Sequence, residues 1–168
     1  MRRIREPFSI PARVVGIAAL LSLAAAAPAW ADATAFIGAN TTPANRSVRG
    51  VSVGTGLLVL GFEFEYAKTT DDDTVAAPSL RTGTGNILLQ TPGSFFGFQP
   101  YVIAGAGLYR ERLGTHQDTS FLTNTGGGVK VTLVGPIRLR VDYRVFKLGS
   151  GALYSPAHRI YAGLNLKF

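Results

Sequence analysis

Residues 137–147 read IRLRVDYRVFK, a strict alternation of two kinds of side chain. Ile137, Leu139, Val141, Tyr143 and Val145 alternate with Arg138, Arg140, Asp142, Arg144 and Phe146. Successive side chains of a strand point to opposite faces. As a strand, this segment therefore has one oily face and one mostly charged face. Wound as a helix, the same residues would be mixed around the whole circumference. The chain ends the same way, on RIYAGLNLKF. Ile160, Ala162, Leu164, Leu166 and Phe168 fall on one side, and Arg159, Tyr161, Gly163, Asn165 and Lys167 on the other. Earlier, FEFEY sets Phe62, Phe64 and Tyr66 against Glu63 and Glu65.

Period two recurs along most of the chain, and it predicts eight strands. They span residues 33–40, 47–54, 58–68, 80–90, 98–110, 121–133, 137–147 and 158–168. The links between the second and third strands and between the sixth and seventh are tight, the latter through Val134-Gly135-Pro136. The link from the fourth to the fifth holds Pro92-Gly93 and is slightly longer. The others, 41–46, 69–79, 111–120 and 148–157, read as looser polar loops.

The first 31 residues differ from the rest. Arg2, Arg3, Arg5 and Arg13 form a basic start, and an apolar run of small and aliphatic residues covers 14–27. Ala29-Trp30-Ala31 then offers an A-x-A pattern, so 1–31 reads as a secretory signal peptide and 32–168 as one β-barrel domain. The alternatives are an uncleaved anchor or an ordinary N-terminal helix. Without this leader, 17 basic and 10 acidic residues fall to 13 and 9, a net charge of +4. Much of the basic excess thus belongs to the leader, and nucleic acid is not expected as a partner. Cysteine is absent, although small exported domains often rely on disulfides. A surrounding bilayer is another source of stability.

A soluble sandwich gives the same alternation, with one face on a core and one in water. Three features favour a membrane barrel. The polar faces are heavily charged while the apolar faces carry large residues. Short and long links alternate, as in barrels with short periplasmic turns and longer outer loops. Strand lengths are near the roughly 9–11 residues that a tilted strand needs to cross. Lipid offers backbone groups no water, so a sheet there must close on itself. The predicted fold is an all-β, eight-stranded, antiparallel, up-and-down transmembrane barrel. At eight strands the lumen is just wide enough for side chains to fill.

Tyr161, Gly163, Leu166 and Phe168 carry the polar–x–Gly–x–x–apolar–x–aromatic spacing of a C-terminal sorting signal. This ending resembles that of bacterial outer-membrane barrels. With GAGLYR, LRVDYR and the QPYV start of the fifth strand, the layout resembles the small eight-stranded outer-membrane proteins of the OmpA-domain, OmpX and opacity-protein type. The resemblance implies residence in the outer membrane, contact with its lipids and lipopolysaccharide, and recognition of the last strand by the barrel-assembly machinery.

The charged inner face is the main candidate site. Glu63 and Glu65 are expected opposite Arg138, Arg140, Asp142 and Arg144, since strands four apart face each other in an eight-stranded barrel. Glu63 and Glu65 are expected to pair with Arg140 and Arg144, with Lys130, Arg159 and Lys167 sharing the interior. Such a network plugs the lumen; the alternative is a narrow, anion-preferring pore. His116 and His158 are the only histidines, with Asp118 and Ser155 near them in sequence. A lipid A-modifying enzyme would need a histidine able to accept a serine proton. Both histidines lie in or beside loops without a His-x-Ser pattern, so neither catalysis nor a cofactor is expected. Asp71-Asp72-Asp73 reads as a solvated acidic loop rather than a cation site, lacking the glycine and terminal glutamate of a calcium loop. Gly126-Gly127-Gly128 reads as close packing within a strand. The expected function is a structural, surface-displaying or adhesion-like barrel. The alternatives are a narrow channel for small polar or anionic solutes, a lipid A-modifying enzyme, or a soluble periplasmic carrier. The ligand of the surface loops is not specified by these residues.

Overall fold

A computed structural model describes residues 30–168. Eight strands follow one another: β1 Trp30–Asn40, β2 Arg46–Leu57, β3 Leu60–Thr69, β4 Ser79–Gln90, β5 Phe98–Leu113, β6 His116–Val134, β7 Ile137–Leu148 and β8 Ala157–Lys167. Each pairs antiparallel with the next, and β8 pairs with β1, so the sheet is a closed barrel. Closure leaves no edge to carry unpaired backbone groups. Most of the expected leader, 1–31, lies outside the described residues; Trp30 and Ala31 open β1.

The alternation sets the two faces of the wall. On β3, Phe62, Phe64 and Tyr66 are exposed while Glu63 and Glu65 are buried in the lumen. On β7, Arg138, Arg140, Asp142 and Arg144 point inward, and Ile137 and Tyr143 face out. The outer face of β5 runs from Phe98 through Val102 to Leu108 before reaching Arg110. The steps from Phe98 to Leu108, at about 3.4 Å each and tilted by about 40°, rise about 26 Å, close to the height of an outer-membrane apolar band.

Two expectations need correction. The segment 111–120 is not a loose loop. β5 and β6 continue as a paired hairpin to Leu113 and His116, turning at Gly114, whose φ is +56°. The outward residues there, such as Arg110 and Arg112, are charged, and this hides the strand from an apolar–polar pattern. Above the apolar band, however, a ladder needs no oily outer face. The lumen is also not polar throughout. Leu80, Tyr109, Leu122, Phe146, Leu148 and Ala157 form an apolar cluster inside its loop end. These residues sit between the central charges and the outer loops, where apolar packing needs no partner for a charge.

Candidate functional site

The central lumen is built from opposite walls. β3 contributes Glu63 and Glu65; β7 contributes Arg140, Asp142 and Arg144; β8 contributes Arg159 and Tyr161. Arg140 grips the Glu63 carboxylate with both terminal nitrogens, Nη2 donating to Oε1 at 3.2 Å and Nη1 donating to Oε2. Arg144 Nη2 donates to the same Glu63 Oε1 at 2.9 Å. Arg144 Nη1 also lies 3.1 Å from Glu65 Oε2, and Arg159 Nη1 donates to Glu65 Oε1 at 3.1 Å. Glu65 therefore pairs with Arg144 and Arg159, not with Arg140.

Arg144 and Arg159 are directly opposite each other on β7 and β8. Like charges in that position repel. Glu65 reaches across the lumen and neutralises both. Asp142 plays the same part among cations of its own wall: Arg140 Nε donates to its Oδ2 at 2.7 Å, and Arg144 Nη2 lies 3.3 Å from Oδ1. Tyr101 donates its hydroxyl proton to Asp142 and accepts from Arg140 Nε at 2.7 Å. Tyr161 donates to Glu65 at 3.0 Å and accepts from Arg144 at 2.7 Å. Arg140, Arg144 and Arg159 are each 0% exposed. Guanidinium groups so far from water persist only when paired and hydrogen-bonded.

Nearer the turns, Asp32 on β1 accepts from Lys130 Nζ at 2.7 Å and from Arg138 Nη2 at 3.2 Å. Arg138 is thus in the lumen but outside the central network. Here a cavity of about 260 Å³ opens, reaching from Gln90, Gln99 and Lys167 inward to Glu63. Towards the loops the central network is capped by the apolar cluster, with Arg159 stacked 4.2 Å over the Phe146 ring.

The sequence pointed to neither Asp32 nor Tyr101 as a member of this interior, and it placed Tyr161 on the polar face of the last strand without assigning its hydroxyl a partner. Asp32 immediately follows the leader pattern, which concealed the start of β1. The tyrosines were detectable by parity, because Tyr101 and Tyr161 share the inner face of their strands with Gln99 and Arg159. Gly126 and Gly128 lie opposite Arg144 and Asp142; a Cβ at Gly128 would sit 2.6 Å from the Tyr101 hydroxyl. The residues of the ending divide between faces: Tyr161 and Gly163 inward, Leu166 and Phe168 outward.

The histidines do not assemble a nucleophile site with the residues near them in sequence. His158 Nδ1 is 2.7 Å from the Tyr143 hydroxyl on the outer wall. Ser155 Oγ is engaged by the backbone of Leu148, at 3.0 Å from its N–H and 3.3 Å from its carbonyl. His116 Nε2 lies 3.6 Å from Glu111, while Asp118 accepts from Tyr109. Asp72 caps a short turn, accepting from the Thr74 hydroxyl at 2.5 Å and from the Thr74 N–H at 3.0 Å, and these bonds lower its pKa. Among the described residues, no three His, Cys, Asp or Glu side chains gather as metal ligands.

No family model matches the chain, and no curated protein matches it. Solved structures do. The N-terminal β-barrel domain of Pseudomonas aeruginosa OprF superposes with a TM-score of 0.62 at 16% identity, over 83% of this chain and 97% of that one. Neisserial surface protein A gives 0.61 at 19% identity, over 83% and 96%. The outer membrane enzyme PagL gives 0.53 at 14% identity, over 80% and 98%. The fold is that of the small eight-stranded outer-membrane barrels. Because PagL shares it, the fold admits an enzyme as well as a non-enzymatic surface protein. In an outer-membrane barrel of this size the interior is a packed space, and here the Glu63–Arg140–Arg144–Glu65–Arg159 chain is its central layer.

Proposed function

We propose that this chain is an integral protein of the bacterial outer membrane with a structural, surface-displaying or adhesion-like role, and that its lumen is plugged. The observation that carries this reading is the sequence of layers inside the barrel. A solute entering from the turn end would meet the paired charges of Glu63, Arg140 and Arg144, and then the apolar cluster around Phe146. Passage would require breaking buried ion pairs and then dehydrating against leucine and phenylalanine side chains. Outside, the apolar band supports a membrane rather than an aqueous setting.

The same reading makes lipopolysaccharide and lipids its surroundings. It also makes the last strand, through Tyr161, Gly163, Leu166 and Phe168, the segment recognised by the barrel-assembly machinery. An enzymatic role has less support, since among the described residues neither histidine hydrogen-bonds a serine. The narrow channel keeps one supporting observation, the cavity at the turn end.

Two measurements test the proposal. The protein should remain with outer membranes after a carbonate wash and run at a different gel position when unheated. Purified protein should produce no discrete conductance in planar bilayers. Release by carbonate would refute the membrane reading, and steady single-channel steps would refute the plug.

A further inference from the structure

Six cations point outward from the described strands, and all are near the loop end: Arg49, Lys68, Arg81, Arg110, Arg112 and Lys147. Four are cross-strand neighbours. Arg49 is opposite Lys68, Lys68 opposite Arg81, and Arg81 opposite Arg110. They form one unbroken row over β2, β3, β4 and β5. Facing pairs in such a ladder have Cβ atoms about 4.5–5.5 Å apart, and like charges there destabilise the sheet.

No acid on the described strands shares their face. Every acid on a described strand turns inward, and no ion pair joins any of the four to a carboxylate among the described residues. Arg110 donates only to the neutral Gln117 amide, at 2.9 Å. The interior neutralises its own adjacent arginines with Glu65; this outer row lacks any such bridge.

The position of the row indicates what supplies the negative charge. The next outward row below is Val51, Tyr66, Gly83 and Leu108, again in register across the same strands. Charge thus gives way to apolar surface within one step. Below Arg81, moreover, β4 carries Gly83 and Gly85 outward, Gly83 between Tyr66 of β3 and Leu108 of β5, and Gly85 between Phe64 of β3 and Ala106 of β5. A Cβ at Gly83 would touch nothing, and one at Gly85 would touch only the Phe64 ring, at 3.8 Å. A shallow trough therefore descends from the cations into the apolar band.

We propose that this row and trough bind a phosphorylated, acylated lipid of the outer leaflet, of the lipopolysaccharide class. Its phosphates lie on Arg49, Lys68, Arg81 and Arg110, and an acyl chain lies along Gly83 and Gly85. Arginine and lysine are suited to phosphate oxygens, and a basic row bordering hydrocarbon favours an amphiphile over a free anion. The proposal rests on the outer-membrane reading above.

The test uses the full chain, folded in a nonionic detergent, with binding read by native mass spectrometry at low salt. The probes are a bisphosphorylated, acylated glucosamine disaccharide, its dephosphorylated form, and inorganic phosphate. The phosphorylated glycolipid should bind, and the dephosphorylated form should bind at least tenfold more weakly. Each neutralisation, Arg49→Gln, Lys68→Gln, Arg81→Gln or Arg110→Gln, should weaken binding roughly fivefold. Lys147→Gln, away from the row, should have little effect. Gly83→Leu should weaken glycolipid binding by filling the trough. Equal binding of the two glycolipids, or unchanged affinity after all four neutralisations, would overturn the site. So would inorganic phosphate displacing the glycolipid at equal concentration. Heat-dependent gel mobility and carbonate resistance of the same variants report membrane insertion separately. A wild-type chain that fails them overturns the membrane reading, whereas one that passes them without phosphate discrimination overturns the site alone.

Discussion

Arg140 of β7 holds Glu63 of β3 in a two-pronged pair across the full width of the barrel. Neither group is open to solvent, and Arg144 shares the same carboxylate. Removing one partner of a buried pair costs about 3–5 kcal/mol, chiefly because the remaining charge is stranded. Glu63→Gln should lower the unfolding midpoint in detergent by an amount of that order. The Glu63→Gln, Arg140→Gln double variant should recover part of the loss, because it removes the stranded arginine as well. Strictly additive losses would show that the two residues do not interact.

Val141 is on the opposite face of the same strand, between Arg140 and Asp142 in sequence but turned away from the lumen. A cation near the bilayer midplane costs about 2–4 kcal/mol. Val141→Arg should therefore fold poorly into lipid vesicles, while Val141→Leu should behave like the parent. Efficient insertion of Val141→Arg would mean that this part of β7 does not face hydrocarbon.

Parity made much of this legible in the sequence. Alternation assigned Glu63, Glu65 and the β7 arginines to one face, and a count of eight strands placed β3 across from β7. The height of each group was not legible, because stagger is set by all the hairpins together. Glu65 consequently meets Arg159 rather than Arg140. The apolar cap was missed for a different reason. Leu80 and Leu122 fall in predicted strands to which no face is assigned, and Leu148 in a predicted loop, yet each shares inner parity with polar neighbours such as Thr82, Asn124 and Arg144. Strict parity, carried along β4, β6 and β7, finds them; a polar lumen was expected throughout, and an aliphatic side chain does not announce itself as part of it.

Glu111 is above the apolar band, inside the β5–β6 hairpin, where it accepts from the Leu153 N–H at 2.9 Å. Burial pushes its pKa up, and the Leu153 hydrogen bond and the nearby His116 and Arg46 offset this only in part, while Asp118 adds to the rise. A carboxyl whose folded pKa exceeds its unfolded value of about 4.3 stabilises most when protonated in both states. That contribution is present below the unfolded value and is lost as pH rises through the raised one. The unfolding midpoint of the barrel in detergent should therefore fall across this window. Glu111→Gln should flatten the profile, and an unaltered profile in that variant would assign the dependence to another group.

Gly163 and Phe168 are both read as parts of a sorting signal, but the structure gives them different physical tasks. Gly163 faces the lumen opposite Phe36; a Cβ there would lie 2.5 Å from the Ala35 carbonyl oxygen and 2.7 Å from the Phe36 Cβ. The Phe36 ring stacks on Tyr161 with centroids 4.0 Å apart, so it has little room to retreat. Phe168, by contrast, is 70% exposed, and its backbone exchanges hydrogen bonds of 2.9 and 3.0 Å with Ala31 that no side-chain change removes. Gly163→Val should therefore impair folding of purified chain into detergent or vesicles, since overpacking costs about 1–3 kcal/mol. Phe168→Asp should fold in vitro nearly as well as the parent. In cells, Phe168→Asp should show reduced outer-membrane assembly and periplasmic degradation, because it alters the side chain that would be recognised while sparing the closed barrel. Parent-like assembly of Phe168→Asp in cells would reject the address, and parent-like folding of Gly163→Val would reject the packing argument.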